Sequence, residues 1–173
     1  MEAESSTTNE PPMVLVRTAA PPPGVKPVDD ASGGAYLEIP EKSGNPPDLN
    51  AGKAVLAVDV SEDGSYFFWL RAYWEGECSN SLQVRIDDRP PFVVGEDGTY
   101  HTWHWVKYPM SRLTTLPALS RGRHTLTLLN REDGVRMDQI LLTTDKRFVP
   151  VGIEKARTAG HGNSVCHCRR SRR

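Results

Sequence analysis

The chain has 173 residues, enough for one domain with a full core. Charged residues make up 25% of it, hydrophobic residues 38%, and the formal net charge is -1, which excludes a general attraction to nucleic acid or anionic membranes. No apolar run approaches the ~20 residues of a membrane-spanning helix, so neither nucleic acid nor membrane is expected as a partner.

The opening Met1-Glu2-Ala3-Glu4 is acidic, with no basic stretch leading into an apolar one, so no secretory signal is read there. Residues 5–33 are polar and rich in Pro, Ser and Thr. Within them Met13-Val14-Leu15-Val16 predicts one short strand at a sheet edge, and Pro21-Pro22-Pro23-Gly24 a loop. Ala35 to Ile39 predicts a strand stopped by Pro40, and Asn45-Pro46-Pro47-Asp48 another loop. Lys53 to Val60 predicts a strand, and Ser61-Glu62-Asp63-Gly64 a tight turn that makes a strand–turn–strand unit with the aromatic stretch after it.

That stretch, Gly64 to Trp74, is the most hydrophobic window of the chain, and six of its eleven residues are aromatic. Aromatic side chains favour a pleated backbone because they pack against cross-strand neighbours. Alternation sends Tyr66, Phe68, Leu70 and Ala72 to one face and Phe67, Trp69, Arg71 and Tyr73 to the other. Both faces are largely apolar, which predicts a central strand covered on both sides. Further strands are predicted at Ser81 to Ile86, Phe92 to Val94, Tyr100 to Val106, Arg123 to Leu129 and Val135 to Thr143, each bounded by turn residues. Leu113, Leu116 and Leu119 predict a helical turn at most, interrupted by Pro117. Short strands, frequent turns and no convincing helix predict an all-β antiparallel sandwich spanning residues 1–150. Residues 151–173 are set apart as a basic, disordered tail, with arginines at 157, 169, 170, 172 and 173.

Three cysteines make no disulfide framework. Cys166-His167-Cys168, even with His161, lacks the second ligand pair of a structural metal site and is read as part of the tail. Signals for catalysis are weak. His101 and His104 face opposite sides of a strand, no serine sits in a Gly-x-Ser-x-Gly elbow, and no glycine-rich phosphate loop precedes a helix. The acidic pairs Asp87-Asp88 and Glu132-Asp133 lie in turns, where solvated charge is the default. The chain is therefore not expected to be an enzyme; a small glycosidase would need two carboxylates facing each other across a cleft.

A set of short motifs recurs in a recognisable order. It comprises Glu2-Ala3-Glu4, Gly64-Ser65-Tyr66 leading to Arg71, Ile86-Asp87, Tyr100-His101-Thr102-Trp103, Arg121-Gly122-Arg123-His124-Thr125-Leu126 and Met137-Asp138-Gln139-Ile140. In this order the chain resembles the non-catalytic carbohydrate-binding modules of families 6 and 35, which are close to malectin-like domains, over residues 2 to 150. The resemblance implies a jelly-roll sandwich of the galactose-binding type. It implies a carbohydrate ligand, association with a polysaccharide-degrading enzyme or catalytic domain, a monomer, and an extracellular or periplasmic setting. It also implies a structural calcium ion (Ca2+) held by Glu2, Glu4 and Asp138, which join the first strand to the last; carboxylates suit a cation that takes six to eight oxygen ligands.

The implied sugar cleft lies in the loops at one end of the sandwich, with Tyr36 and Tyr100 as stacking rings. A sugar offers flat C–H faces ringed by hydroxyls, so a cleft needs exposed rings and nearby polar groups. Arg136 stands where many such modules carry Asn; an arginine suits a uronate or sulfate unless neighbouring acids such as Glu132 and Asp133 neutralise it. Trp103 shares a strand face with Trp105 and reads either as a platform for sugar or as core. The other function considered is a structural or protein-interaction sandwich without sugar binding.

Overall fold

In a computed structural model, residues 1–44, 52–110 and 118–155 are described. The strands are β1 (Thr8–Glu10), β2 (Val14–Arg17), β3 (Ala35–Ile39), β4 (Lys53–Val60), β5 (Gly64–Ser65), β6 (Phe67–Trp74), β7 (Ser81–Ile86), β8 (Phe92–Gly95), β9 (Trp103–Tyr108), β10 (Ala118–Leu119), β11 (Gly122–Leu129) and β12 (Val135–Thr143). They form a five-stranded sheet in the order β1-β4-β11-β7-β8, a second five-stranded sheet in the order β2-β3-β12-β6-β9, and a small pairing of β10 with β5. Every strand pairing is antiparallel.

The core lies between the two large sheets. Leu56, Leu82, Ile86, Leu126 and Leu128 from the first sheet meet Leu37, Ile39, Phe68, Leu70, Trp74 and Met137 from the second, all fully buried or nearly so. Alternation along β6 explains this: Phe68, Leu70, Ala72 and Trp74 point inward, leaving Phe67, Trp69, Arg71 and Tyr73 on the outer face. The all-β antiparallel sandwich is as expected, and β4, β7 and β12 occupy the expected residues. β2 is the predicted edge strand.

Some local expectations are corrected. The strand–turn–strand unit around Ser61–Gly64 is not a hairpin, because β4 and β6 belong to different sheets. The turn carries the chain across the sandwich, and Gly64–Ser65 pair instead with Ala118–Leu119. The strand expected from Tyr100 begins at Trp103; His101 has φ 56°, outside the β region, and its N–H donates to the Trp74 carbonyl at 3.0 Å. The N-terminus is not fully extended, since Ala3–Ser5 form a short 3₁₀ turn. Residues 151–155, expected in the tail, are tied to the sandwich: Trp105 Nε1 donates to the Gly152 carbonyl at 2.9 Å and Glu154 N–H to Gln139 Oε1 at 2.9 Å. The Asn45–Asp48 loop, the segment with Leu113, Leu116 and Pro117, and the Cys-His-Cys tail lie outside the described residues.

One buried histidine joins the end of β7 to β11. His124 Nδ1 lies 2.7 Å from Asp87 Oδ2 and Nε2 lies 2.7 Å from the Ser120 carbonyl. Both partners are acceptors, so only the imidazolium satisfies both. The hydrogen bond to Asp87 raises the His124 pKa above its ordinary 6.5, with the Ser120 carbonyl adding to the effect. A raised histidine contributes stability that is complete below pH 6.5 and is lost as pH rises through the folded-state value. The thermal midpoint is therefore expected to fall by about 2–4 °C between pH 6 and pH 9. His124→Gln should flatten that slope, as read by thermal unfolding across pH; an unchanged slope in the variant would refute the assignment.

Candidate functional site

The outer face of the second sheet carries chemistry that a packing face does not need. Cross-strand register aligns Glu38 of β3 with Arg136 of β12, Arg136 with Tyr73 of β6, and Tyr73 with Trp103 of β9. Four strands thus contribute one row of side chains running across the sheet. Tyr73 and Trp103 are half-buried, with ring centroids 5.6 Å apart at an interplanar angle of 64°. Such edge-to-face pairs add roughly 0.5–1.5 kcal/mol beyond area burial. The exposed His101 ring lies 6.4 Å from Tyr73, so three rings edge the open side of this row.

Arg136 is the polar centre of the row. Its guanidinium sits 5.1 Å over the Tyr73 ring centroid. Nη1 donates to Glu75 Oε2 at 2.6 Å, and Nη2 lies 3.3 Å from Glu38 Oε1. Burial raises the Glu38 carboxyl above its usual range even though Arg136 draws it down. The acids that hold Arg136 are therefore Glu38 and Glu75. Glu132, expected at the cleft, instead pairs with Arg131 at 2.8 Å and accepts the Asn80 N–H at 2.9 Å, fastening the loop before β12 to the loop before β7.

Tyr36, expected as a stacking ring, has 0% exposure. The segment after β2 folds over it: the Val28 N–H donates to its hydroxyl at 3.0 Å, and Trp103 Nε1 donates to the neighbouring Asp29 carbonyl at 2.7 Å. Its ring packs edge-on against Trp103 at 5.5 Å, so in this conformation it supports the site from beneath and presents no face to a sugar. Tyr100 is half-buried and packs against the sandwich core. The three residues expected to converge on an open hollow thus divide among a covered ring, a core-packed ring and an ion-paired arginine. Tyr73, Glu75, Glu38 and His101 were not anticipated at the site. Part of the signal was present, since alternation already put Tyr73 on the face opposite the core.

A second cluster is built by an irregularity in β12. The register with β6 shifts between Met137 and Gln139. Met137 and Ile140 both face the core, so Asp138 and Gln139 lie together on the other side. Asp138 is fully buried, accepts the Ser32 N–H at 3.0 Å and pairs with the Arg71 guanidinium. The Ser32 N–H is aimed there by a turn through Gly33 (φ 59°) and Gly34 (φ 71°), conformations that favour glycine. Gln139 Nε2 donates to Glu2 Oε1 at 2.9 Å. One carboxylate oxygen from each of Glu2, Glu4 and Asp138 lies within 4.8 Å of the others.

These residues fit a calcium ion. Oxygens bound to calcium at 2.3–2.6 Å stand at most about 5 Å apart. Glu2 Oε2 and Glu4 Oε2 are buried without a hydrogen-bond partner, the condition of an acceptor awaiting a cation. Burial, reinforced by Glu2 and Asp138, pushes Glu4 up to about 7. Burial likewise outweighs Arg71 and raises Asp138. Three carboxylates gather beside the buried Arg71 guanidinium, a hard-oxygen donor set suited to a divalent cation. The expected extended geometry at Glu2 and Glu4 is replaced by the 3₁₀ turn, which still brings both carboxylates to Asp138.

No protein-family model matches the chain. It is 26% identical over 121 residues to the uncharacterized protein P23 of Formosa agariphila, a match covering 61% of this chain and 28% of that protein. Among solved structures, a family 35 carbohydrate-binding module from Clostridium thermocellum superposes with TM-score 0.56 at 17% identity, covering 82% of this chain and 96% of that one. A family 6 module from Clostridium cellulolyticum in complex with xylose gives TM-score 0.53 at 17% identity, covering 83% and 95%. An exo-β-1,3-galactanase from Phanerochaete chrysosporium with galactose gives TM-score 0.57 at 15% identity, covering 83% of this chain. The chain spans 28% of the length of P23 and likewise of the galactanase, but nearly all of each isolated module. The chain has the antiparallel β-sandwich fold of the family 6 and family 35 carbohydrate-binding modules.

Proposed function

We propose that the chain binds carbohydrate without altering it, through the outer-face row of the second sheet. The observation that carries this is the set of half-open rings of Tyr73 and Trp103 with His101, bordered by the charged hydrogen-bonding groups of Glu75 and Arg136, on a fold shared with sugar-binding modules. Rings supply stacking for the C–H faces of a sugar, and the polar border orients its hydroxyls. Glu2, Glu4 and Asp138 hold calcium, which would neutralise their charge and fasten the N-terminus to β12. The chain serves as a companion to a glycan-active enzyme, and tethering raises the effect of a weak individual affinity.

Tyr73→Ala and Trp103→Ala are each expected to weaken retention in polysaccharide affinity gels by at least about tenfold, since truncating a hot-spot aromatic costs roughly 2 kcal/mol or more. Lys146→Ala, at an exposed position past the end of β12 opposite Arg136, should leave retention intact. Equal retention by all three variants would remove the row from the binding function.

A second reading, an interaction module, has one observation in its favour. Val149, Val151 and Ile153 are 65%, 78% and 46% exposed and alternate along the segment after β12. No retention on any polysaccharide, together with self-association lost on Val151→Ser, would favour that reading.

A further inference from the structure

We propose that this site, on the carbohydrate-binding reading it rests on, takes uncharged or amine-bearing sugars and rejects those carrying carboxylate or sulfate groups. A lone arginine beside a sugar cleft favours acids, because its two parallel N–H groups match a carboxylate or sulfate. Arg136 has no such pair to offer. Nη1 is bound to Glu75 at 2.6 Å, Nη2 faces Glu38 at 3.3 Å, and Tyr73 covers the guanidinium plane at 5.1 Å.

Two carboxylates surround one guanidinium, so the row is net negative. The loops at this end of the sandwich deepen the imbalance: Glu41, Glu96, Asp97 and Glu132 stand there against Lys42 and Arg131. An added anion close to this charge meets repulsion that salt screens only in part.

The unmet hydrogen bonds point the same way. Glu38 is 4% exposed at its side chain and its Oε2 has no partner; Arg136 Nε, on a side chain 8% exposed, has none either. Both atoms are covered in this conformation; a hydroxyl that displaced their cover would donate to the first and accept from the second. A carboxylate or sulfate can only accept, leaving Glu38 opposed by another acceptor.

The test is an array on which each neutral oligosaccharide stands beside its C6-carboxylated, sulfated and 2-amino counterparts, read with the wild-type chain and with Glu75→Gln. Neutral and 2-amino forms should bind the wild type at least about tenfold more tightly than the carboxylated form, the effect of roughly one uncompensated charge. Glu75→Gln, which removes that charge and weakens the hold on Nη1, should shrink the ratio below about threefold. Acidic forms binding as tightly as neutral ones to the wild type, or a ratio unchanged in Glu75→Gln, would overturn the proposal while leaving carbohydrate binding standing. No binding to any member of the array would overturn the binding reading and this one with it.

Discussion

Arg71→Ala is expected to destabilise the protein by about 3–5 kcal/mol, the usual cost of removing one partner from a buried ion pair. Arg71 is nearly enclosed, pairs with the fully buried Asp138, donates to the Asp30 carbonyl at 3.1 Å and lies 5.2 Å over the Trp103 ring. Without it, Asp138 keeps Glu2 and Glu4 as neighbours and loses the cation beside it. At roughly 2–4 °C per kcal/mol for a chain of this size, the thermal midpoint should fall by about 10 °C or more. Urea unfolding gives the free energy directly. A loss below about 1 kcal/mol would mean that Asp138 is neutral in the folded protein. The damage should also reach the ring row, since Arg71 supports Trp103 from beneath.

Calcium should act in the opposite direction. At a concentration one hundred times its dissociation constant, a ligand specific to the folded state stabilises by about 2.7 kcal/mol. Chelator-treated protein is thus expected to gain about 5–10 °C in thermal midpoint on adding calcium, reversibly. Magnesium should do much less, because it demands a tighter octahedral shell and sheds water reluctantly. Glu4→Gln should abolish most of the increment. Its Oε2 is one of two buried carboxylate oxygens in the cluster that the protein leaves unpaired. The clearest contrary result would be identical melting curves with chelator and with millimolar calcium.

The sandwich was readable because strand patterning is a local property. Alternating Phe68, Leu70 and Ala72 define a core face whatever they pair with, and turns such as Asn130 to Gly134 mark the ends of strands. Crossing between sheets is not local. Ser61–Gly64 has the composition of a hairpin turn, yet the partner of Gly64–Ser65 lies more than fifty residues further on. The candidate site divided along the same line. One carboxylate oxygen from each of Glu2, Glu4 and Asp138 lies within 4.8 Å of the others, a convergence of residues far apart in the chain. The ring row was only half visible. Tyr73 and Trp103 each sit on a predictable face, but their adjacency depends on the register of β6 with β9. Tyr36 was misplaced because nothing in its own neighbourhood announces that residues 28 and 29 fold back over it.

The extra residue in β12 has a wider consequence for how this strand tolerates change. Before it, even positions such as Arg136 face outward; after it, odd positions such as Leu141 do. The strand therefore keeps two phases, one serving the ring row and one serving the far end of the sheet. Deleting a single residue at Asp138 or Gln139 would merge the phases. The strand would then alternate regularly, with Arg136 still outward beside Tyr73 and Ile140 still in the core, but only one of the two adjacent outward side chains that build the acidic cluster would remain. The extra residue thus serves the acidic cluster rather than the core, and relatives that keep this cluster should keep the bulge.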